Sequence, residues 1–104
     1  MIDWQTPPQT ICDYSKPPFA KRFVGGTTNL CHNAVDRHLK DRADQPALIF
    51  VSTETDQEKV YTFRELHAEV QRMAAVLKGL GVQKGDRVLI YMPMIAEACF
   101  AMLA

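Results

Sequence analysis

YTFRELHAEVQRMAAVLKGLGVQKGDRVLIYMP, residues 61–93, is the stretch whose reading decides the fold. It reads as a helix, a tight turn and a buried strand. Thr62 is a good N-cap and Glu65 stands three places on, so the two form a capping box. Tyr61 before the cap can staple onto Leu66. Phe63, Leu66, Val70, Met73, Ala74 and Leu77 recur at three- and four-residue steps, one face of an amphipathic helix. Arg64, His67, Glu69, Gln71, Arg72 and Lys78 fall mostly on the other side. Gly79 or Gly81 can end the helix in the left-handed conformation, with Lys78 suited to the last turn. Lys84-Gly85-Asp86 is a turn signal. Lys84, Asp86 and Arg87 together invite an active-site reading, but a solvated turn accounts for them better. RVLIY, residues 87–91, holds three successive aliphatics and suits a strand covered on both faces inside a parallel sheet. Pro93 stops that strand and can open the next helix.

Working outward, ALIFV at 47–51 is rich in β-formers. Residues 52–58 are polar and acidic, and Lys59-Val60-Tyr61 runs straight into the capping box. An antiparallel hairpin over 47–61 follows. Beyond Pro93, Met94, Ile95, Ala98, Cys99, Ala101, Met102 and Leu103 make a helix apolar on most sides, the mark of one buried between other elements. No glycine, proline or terminal cation stops it before Ala104. The expectation is a chain that continues, with residues 30–104 the start of a larger α/β domain truncated in its last helix.

Residues 1–29 read as an extended arm. Four of the six prolines lie here, at 7, 8, 17 and 18, and X-Pro steps forbid a long helix. Trp4, Tyr14, Phe19 and Phe23 offer large rings to bury. The aromatics favour an arm docked on another surface over a disordered terminus. Gly25-Gly26-Thr27-Thr28 could cradle phosphate through its amides. It lacks a preceding strand, GxGxxG spacing and a following lysine, so a flexible turn before a helix is the better reading. Asn29 caps a helix near 30–42 whose Leu30, Ala34, Val35, His38 and Leu39 share a face, and Pro46 closes the segment. Cys31, His32 and His38 suggest a metal or a Cys–His nucleophile. Neighbours on a helix diverge by about 100°, so Cys31 and His32 cannot share a ligand, and a buried cysteine is usually a small hydrophobe. Cys12 and Cys99 have no local partner. Asp36-Arg37-His38 reads as a surface cluster.

Composition narrows the classes. Lys plus Arg equals Asp plus Glu, 12 against 12, so there is no basic excess for nucleic acid or an anionic membrane. No apolar run nears the roughly 20 residues that span a bilayer, and the N-terminus has no signal core. Three cysteines with no CxxC pair fit a reducing, cytoplasmic setting.

The residues carry a resemblance. TNLCHNAVDRH at 28–38, YTFREL at 61–66, GVQKGDRV at 81–88 and YMPMIAEA at 91–98 resemble the N-terminal portion of short-chain acyl-CoA synthetases in the adenylate-forming superfamily. The NLCHN wording at 29–33, with IDWQTP at 2–7, is more similar to the propionate–CoA ligase branch than to acetate-activating members. The resemblance covers essentially the whole chain and is more specific for family than for substrate. It implies a two-step reaction: a carboxylate attacks the α-phosphate of ATP, giving acyl-adenylate and pyrophosphate, and the thiol of coenzyme A then displaces AMP. ATP, Mg²⁺ and coenzyme A are thus implied for the full-length enzyme, with a short-chain carboxylate as substrate and the rest of its own chain as partner. The family's phosphate loop with its lysine, its ribose-binding acid and its C-terminal lysine have no counterpart in residues 1–104. No catalytic, cofactor-binding or metal residue is therefore assigned, and residues 1–104 alone are expected to bind no cofactor and to be inactive. Two other classes stay open: a free-standing non-catalytic α/β interaction module, and a small metal or redox protein using Cys12, Cys31, Cys99 and a histidine.

Overall fold

The computed structural model describes residues 1–104. The capping box forms as read. The Thr62 hydroxyl accepts the Glu65 N–H at 3.2 Å, and the Glu65 carboxylate accepts the Thr62 N–H at 2.9 Å. Helix α3, Phe63–Gly79, follows. A helix start leaves its first N–H groups without intrahelical acceptors. Here Phe63 N–H donates to the Gln45 carbonyl at 3.1 Å and Arg64 N–H to the Ala43 carbonyl at 3.0 Å. The first turn is thus tied to the segment before the hairpin. The far end is a Schellman motif: Gly81 N–H donates to Lys78 O at 3.0 Å and Val82 N–H to Leu77 O at 3.1 Å. Gly81, at φ 87°, supplies the left-handed residue the motif needs; Gly79 stays within the helix.

The chain divides into two compact units, Met1–Asn33 and Ala34–Ala104. In the second, the short segment opens with a 3-10 turn, Asp36–His38, and α2, Leu39–Arg42. Strands β3, Pro46–Ser52, and β4, Gln57–Thr62, pair antiparallel, with Ile49 opposite Val60 and Leu48 opposite Tyr61. The hairpin alternates: Leu48, Phe50 and Tyr61 are covered, while Ile49, Val51 and Val60 are exposed. Helix α4 is Ala96–Leu103. Leu66 and Val70 of α3, Tyr61 of β4, Ala96 and Phe100 of α4, and Val35 form the buried core. The Tyr61 and Phe100 rings meet edge-on at 5.3 Å, a favoured aromatic geometry.

The first unit contains a hairpin where an extended arm was expected. Strands β1, Thr10–Lys16, and β2, Phe19–Val24, pair antiparallel about the Pro17–Pro18 turn. The two prolines mark a reversal, and Ile11, Tyr14, Phe19 and Phe23 are β-formers on either side of it. An isolated bridge joins Thr6 to Thr27, and Trp4 packs on Phe23 with centroids 5.3 Å apart. Helix α1 is short, Leu30–Ala34. The continuous helix expected over 30–42 is broken into α1, the 3-10 turn and α2, with Val35 at φ −128° between the first two.

Two expectations fail together. Residues 87–91 form no strand, and Val88, expected to be covered within one, is 50% exposed. Both sheets have only two strands, so no ladder receives this segment, and a run of β-formers without a partner is not a strand. The last helix starts at Ala96 rather than Pro93, after an extended Ile95 with no side-chain cap.

Leu66→Ala is expected to cost about 2–5 kcal/mol through loss of buried volume, and Thr62→Ala about 1 kcal/mol through loss of the cap. Denaturant titration reads both, and an unchanged midpoint for Leu66→Ala would reject the assigned helix face. The two glycines at the end of α3 should respond with opposite signs. A methyl group at Gly79 meets nothing within 4 Å, so Gly79→Ala should stabilise by about 0.5–1 kcal/mol. Gly81→Ala should destabilise by about 1–2 kcal/mol, the cost of a left-handed L-residue. Equal signs in thermal melts would rule out the cap assignment.

Candidate functional site

The glycine-rich turn is the sequence feature closest to a ligand loop, and two of its amides are already engaged. Gly26 N–H donates to Phe23 O at 3.0 Å and Thr27 N–H to Thr6 O at 2.9 Å. The Thr28 hydroxyl donates to Asp3 O at 2.7 Å. Gly25 sits at φ 76°, and Gly26 is needed for space: a Cβ there would lie 2.9 Å from the Trp4 ring and 3.1 Å from Phe23 O. The loop thus closes the base of the β1–β2 hairpin. Asn33 holds the same region. Its Oδ1 accepts Asp3 N–H at 2.7 Å, and its Nδ2 lies 3.0 Å from Asp3 O and 2.8 Å from the Thr28 hydroxyl. Asn29 caps α1 by accepting His32 N–H at 2.8 Å.

The histidines face carboxylates and rings. His32 lies 3.7 Å from Asp3 and His67 3.7 Å from Asp36, while the His38 ring packs on Phe63 at 5.1 Å. No three His, Cys, Asp or Glu residues converge as a metal cage would require. Cys12 is exposed, and Cys31 and Cys99 are half-buried. Asp86 accepts Gln83 N–H at 2.8 Å and its own N–H donates to Gln83 O at 3.1 Å. With Gly85 at φ 101°, these bonds hold the Lys84–Arg87 region as a turn.

The surface grooves of the second unit are open. One, about 560 Å³, lies under the β3–β4 turn, lined by Phe50, Ser52, Thr55, Pro93, Ile95 and Glu97 among others. No lysine, arginine or histidine lines it, while Glu54 and Glu97 do, so an anion there would meet like charge. A smaller groove of about 270 Å³ joins Lys59, Tyr61, Glu69, Arg72, Met73 and Phe100 with two more residues. Its cations are occupied: Lys59 Nζ stands 4.5 Å over the Tyr61 ring, and Arg72 bonds to Glu69. The Lys59–Tyr61 pairing was available from their spacing, since residues two apart share a strand face. The approach of Gly26 to Trp4 had no local signal, because the Thr6–Thr27 bridge creates it.

Glu65, Asp13 and Lys59 have displaced pKa values. Glu65 is held below the ordinary carboxylate value by the Thr62 N–H first and the Thr62 hydroxyl second. Asp13 is lowered by the Ser15 N–H, 2.9 Å away, and then the Ser15 side chain. Lys59 is raised, first by hydrogen bonding to Tyr61 and then by charge. In each case the first cause is a hydrogen bond to a residue two or three places away in the chain.

Comparison with known proteins gives the context. The family model described as AMP-binding enzyme matches residues 35–104, and that described as acetyl-coenzyme A synthetase N-terminus matches residues 1–34. A propionate–CoA ligase of Escherichia coli (strain K12) is 58% identical over 103 residues, covering 99% of this chain and 16% of that protein. An acetyl-coenzyme A synthetase of Methylobacterium radiotolerans is 52% identical over 106 residues, covering 99% of this chain and 16% of that protein. Among solved structures, an acetoacetyl-CoA synthetase from Streptomyces lividans superposes with a TM-score of 0.81 at 37% identity, covering 98% of this chain and 16% of that one. The chain thus spans about a sixth of the length of these relatives.

Gly26→Ala should push the Trp4 ring away and open the loop. Trp4 is the sole tryptophan, so its emission reports the change directly. A red shift is expected, and an unchanged spectrum would contradict the close approach. The acid limb of stability tests Glu65. A depressed folded-state pKa gives a contribution present above the unfolded value and lost as pH falls through the folded value. Glu65→Gln should therefore flatten the fall in stability that begins near the ordinary glutamate range and continues below it. Superimposable stability-against-pH curves for the two proteins would count against the charge-assisted cap.

Proposed function

The chain belongs to the AMP-binding enzyme family, and on that premise we propose that it is the N-terminal scaffold of an ATP-dependent short-chain acyl-CoA ligase acting on propionate. The observation that carries this is the 58% identity, along 99% of the chain, to a propionate–CoA ligase. The overall reaction joins a carboxylate to coenzyme A and splits ATP into AMP and pyrophosphate. In this reading residues 1–29 are the leading arm, now a hairpin with its closing loop, and residues 30–104 begin the large AMP-binding domain. An acetate-activating enzyme is the second reading, favoured by the acetyl-coenzyme A synthetase N-terminus model over residues 1–34.

In this reading residues 1–104 hold no ATP, Mg²⁺ or coenzyme A. The Gly26 and Thr27 amides are bonded to backbone carbonyls, no three His, Cys, Asp or Glu side chains converge, and the groove under the β3–β4 turn is lined by Glu54 and Glu97 with no cation. No step of the reaction is therefore assigned to these side chains. Their role is mechanical: α3 and the β3–β4 hairpin supply a firm edge on which a catalytic domain is built. The cysteine pattern favours the cytoplasm, and no helix is long and apolar enough to cross a membrane.

Two assays test the proposal. The 104-residue chain with ATP, Mg²⁺ and propionate should release no pyrophosphate above a protein-free blank; turnover would overturn the scaffold role. A chimera carrying residues 1–104 in place of the matching segment of the propionate–CoA ligase relative should keep propionate kcat/KM within about tenfold of the parent, or about 1.4 kcal/mol. A folded chimera that loses propionate activity would reject the scaffold assignment, and one that comes to prefer acetate would place substrate choice in this segment.

A further inference from the structure

We draw no further inference here: the strongest candidate, the exposed apolar surface patch of residues 88–94 between the Gln83–Asp86 turn and α4, is an unpartnered face, and nothing in the structure shows what covers it.

Discussion

The second unit depends on how the first turn of α3 disposes of its N–H groups. A helix start presents donors that have no acceptor within the helix, and leaving them buried and unpaired is costly. Here the Gln45 and Ala43 carbonyls take two of them, and the Thr62 hydroxyl takes the third. Pro46 begins β3 directly after those carbonyls. One small knot of backbone bonds therefore fixes the end of α2, the start of β3, the end of β4 and the start of α3. The Arg64–Asp44 pair at 3.1 Å lies over it. Both side chains are well exposed, so the backbone bonds matter more than the ion pair.

The buried cluster around Tyr61 is positioned from that knot. With the helix start fixed, Leu66 and Val70 are aimed at the covered face of the hairpin, and Tyr61, one residue before the cap, is buried beside them. Phe100 then completes the cluster from α4, edge-on to Tyr61. The first unit uses a different device of the same kind. Asn33 accepts from one Asp3 backbone group and donates to the other, so a single amide side chain pins the leading residues to α1.

What could be read from sequence was whatever local bonds decide. Thr62 and Glu65 announce the cap because their partners are three residues apart, and the helix face from Phe63 to Leu77 follows from periodicity alone. The β3–β4 hairpin was equally plain. Val88, Leu89 and Ile90 misled for the opposite reason: a run of β-formers states a preference, while a strand also needs a ladder, and neither hairpin offers one. The β1–β2 hairpin is less legible because Pro17 and Pro18 break a helix and equally mark a reversal between β-formers. For the site, the engaged amides of Gly26 and Thr27 depend on Thr6 and Phe23, contacts that no motif around the glycines encodes. Family membership was legible because it lies in the wording of short blocks. Substrate choice was not, because relatives named for propionate and for acetate both match along nearly the whole chain.

Thr62 is at once the last residue of β4 and the cap of α3, and this shared residue limits how the gene can change length. Adding one residue to β4 would reverse which side chains face inward, because a strand repeats every two residues. The same addition just inside α3 would turn its apolar stripe by about 100°. No slack exists between the two elements to absorb either change. The turn at residues 53–56 and the polar residues 83–86 have no such coupling. Natural insertions and deletions in related chains should gather at those two places and spare the strand–helix junction.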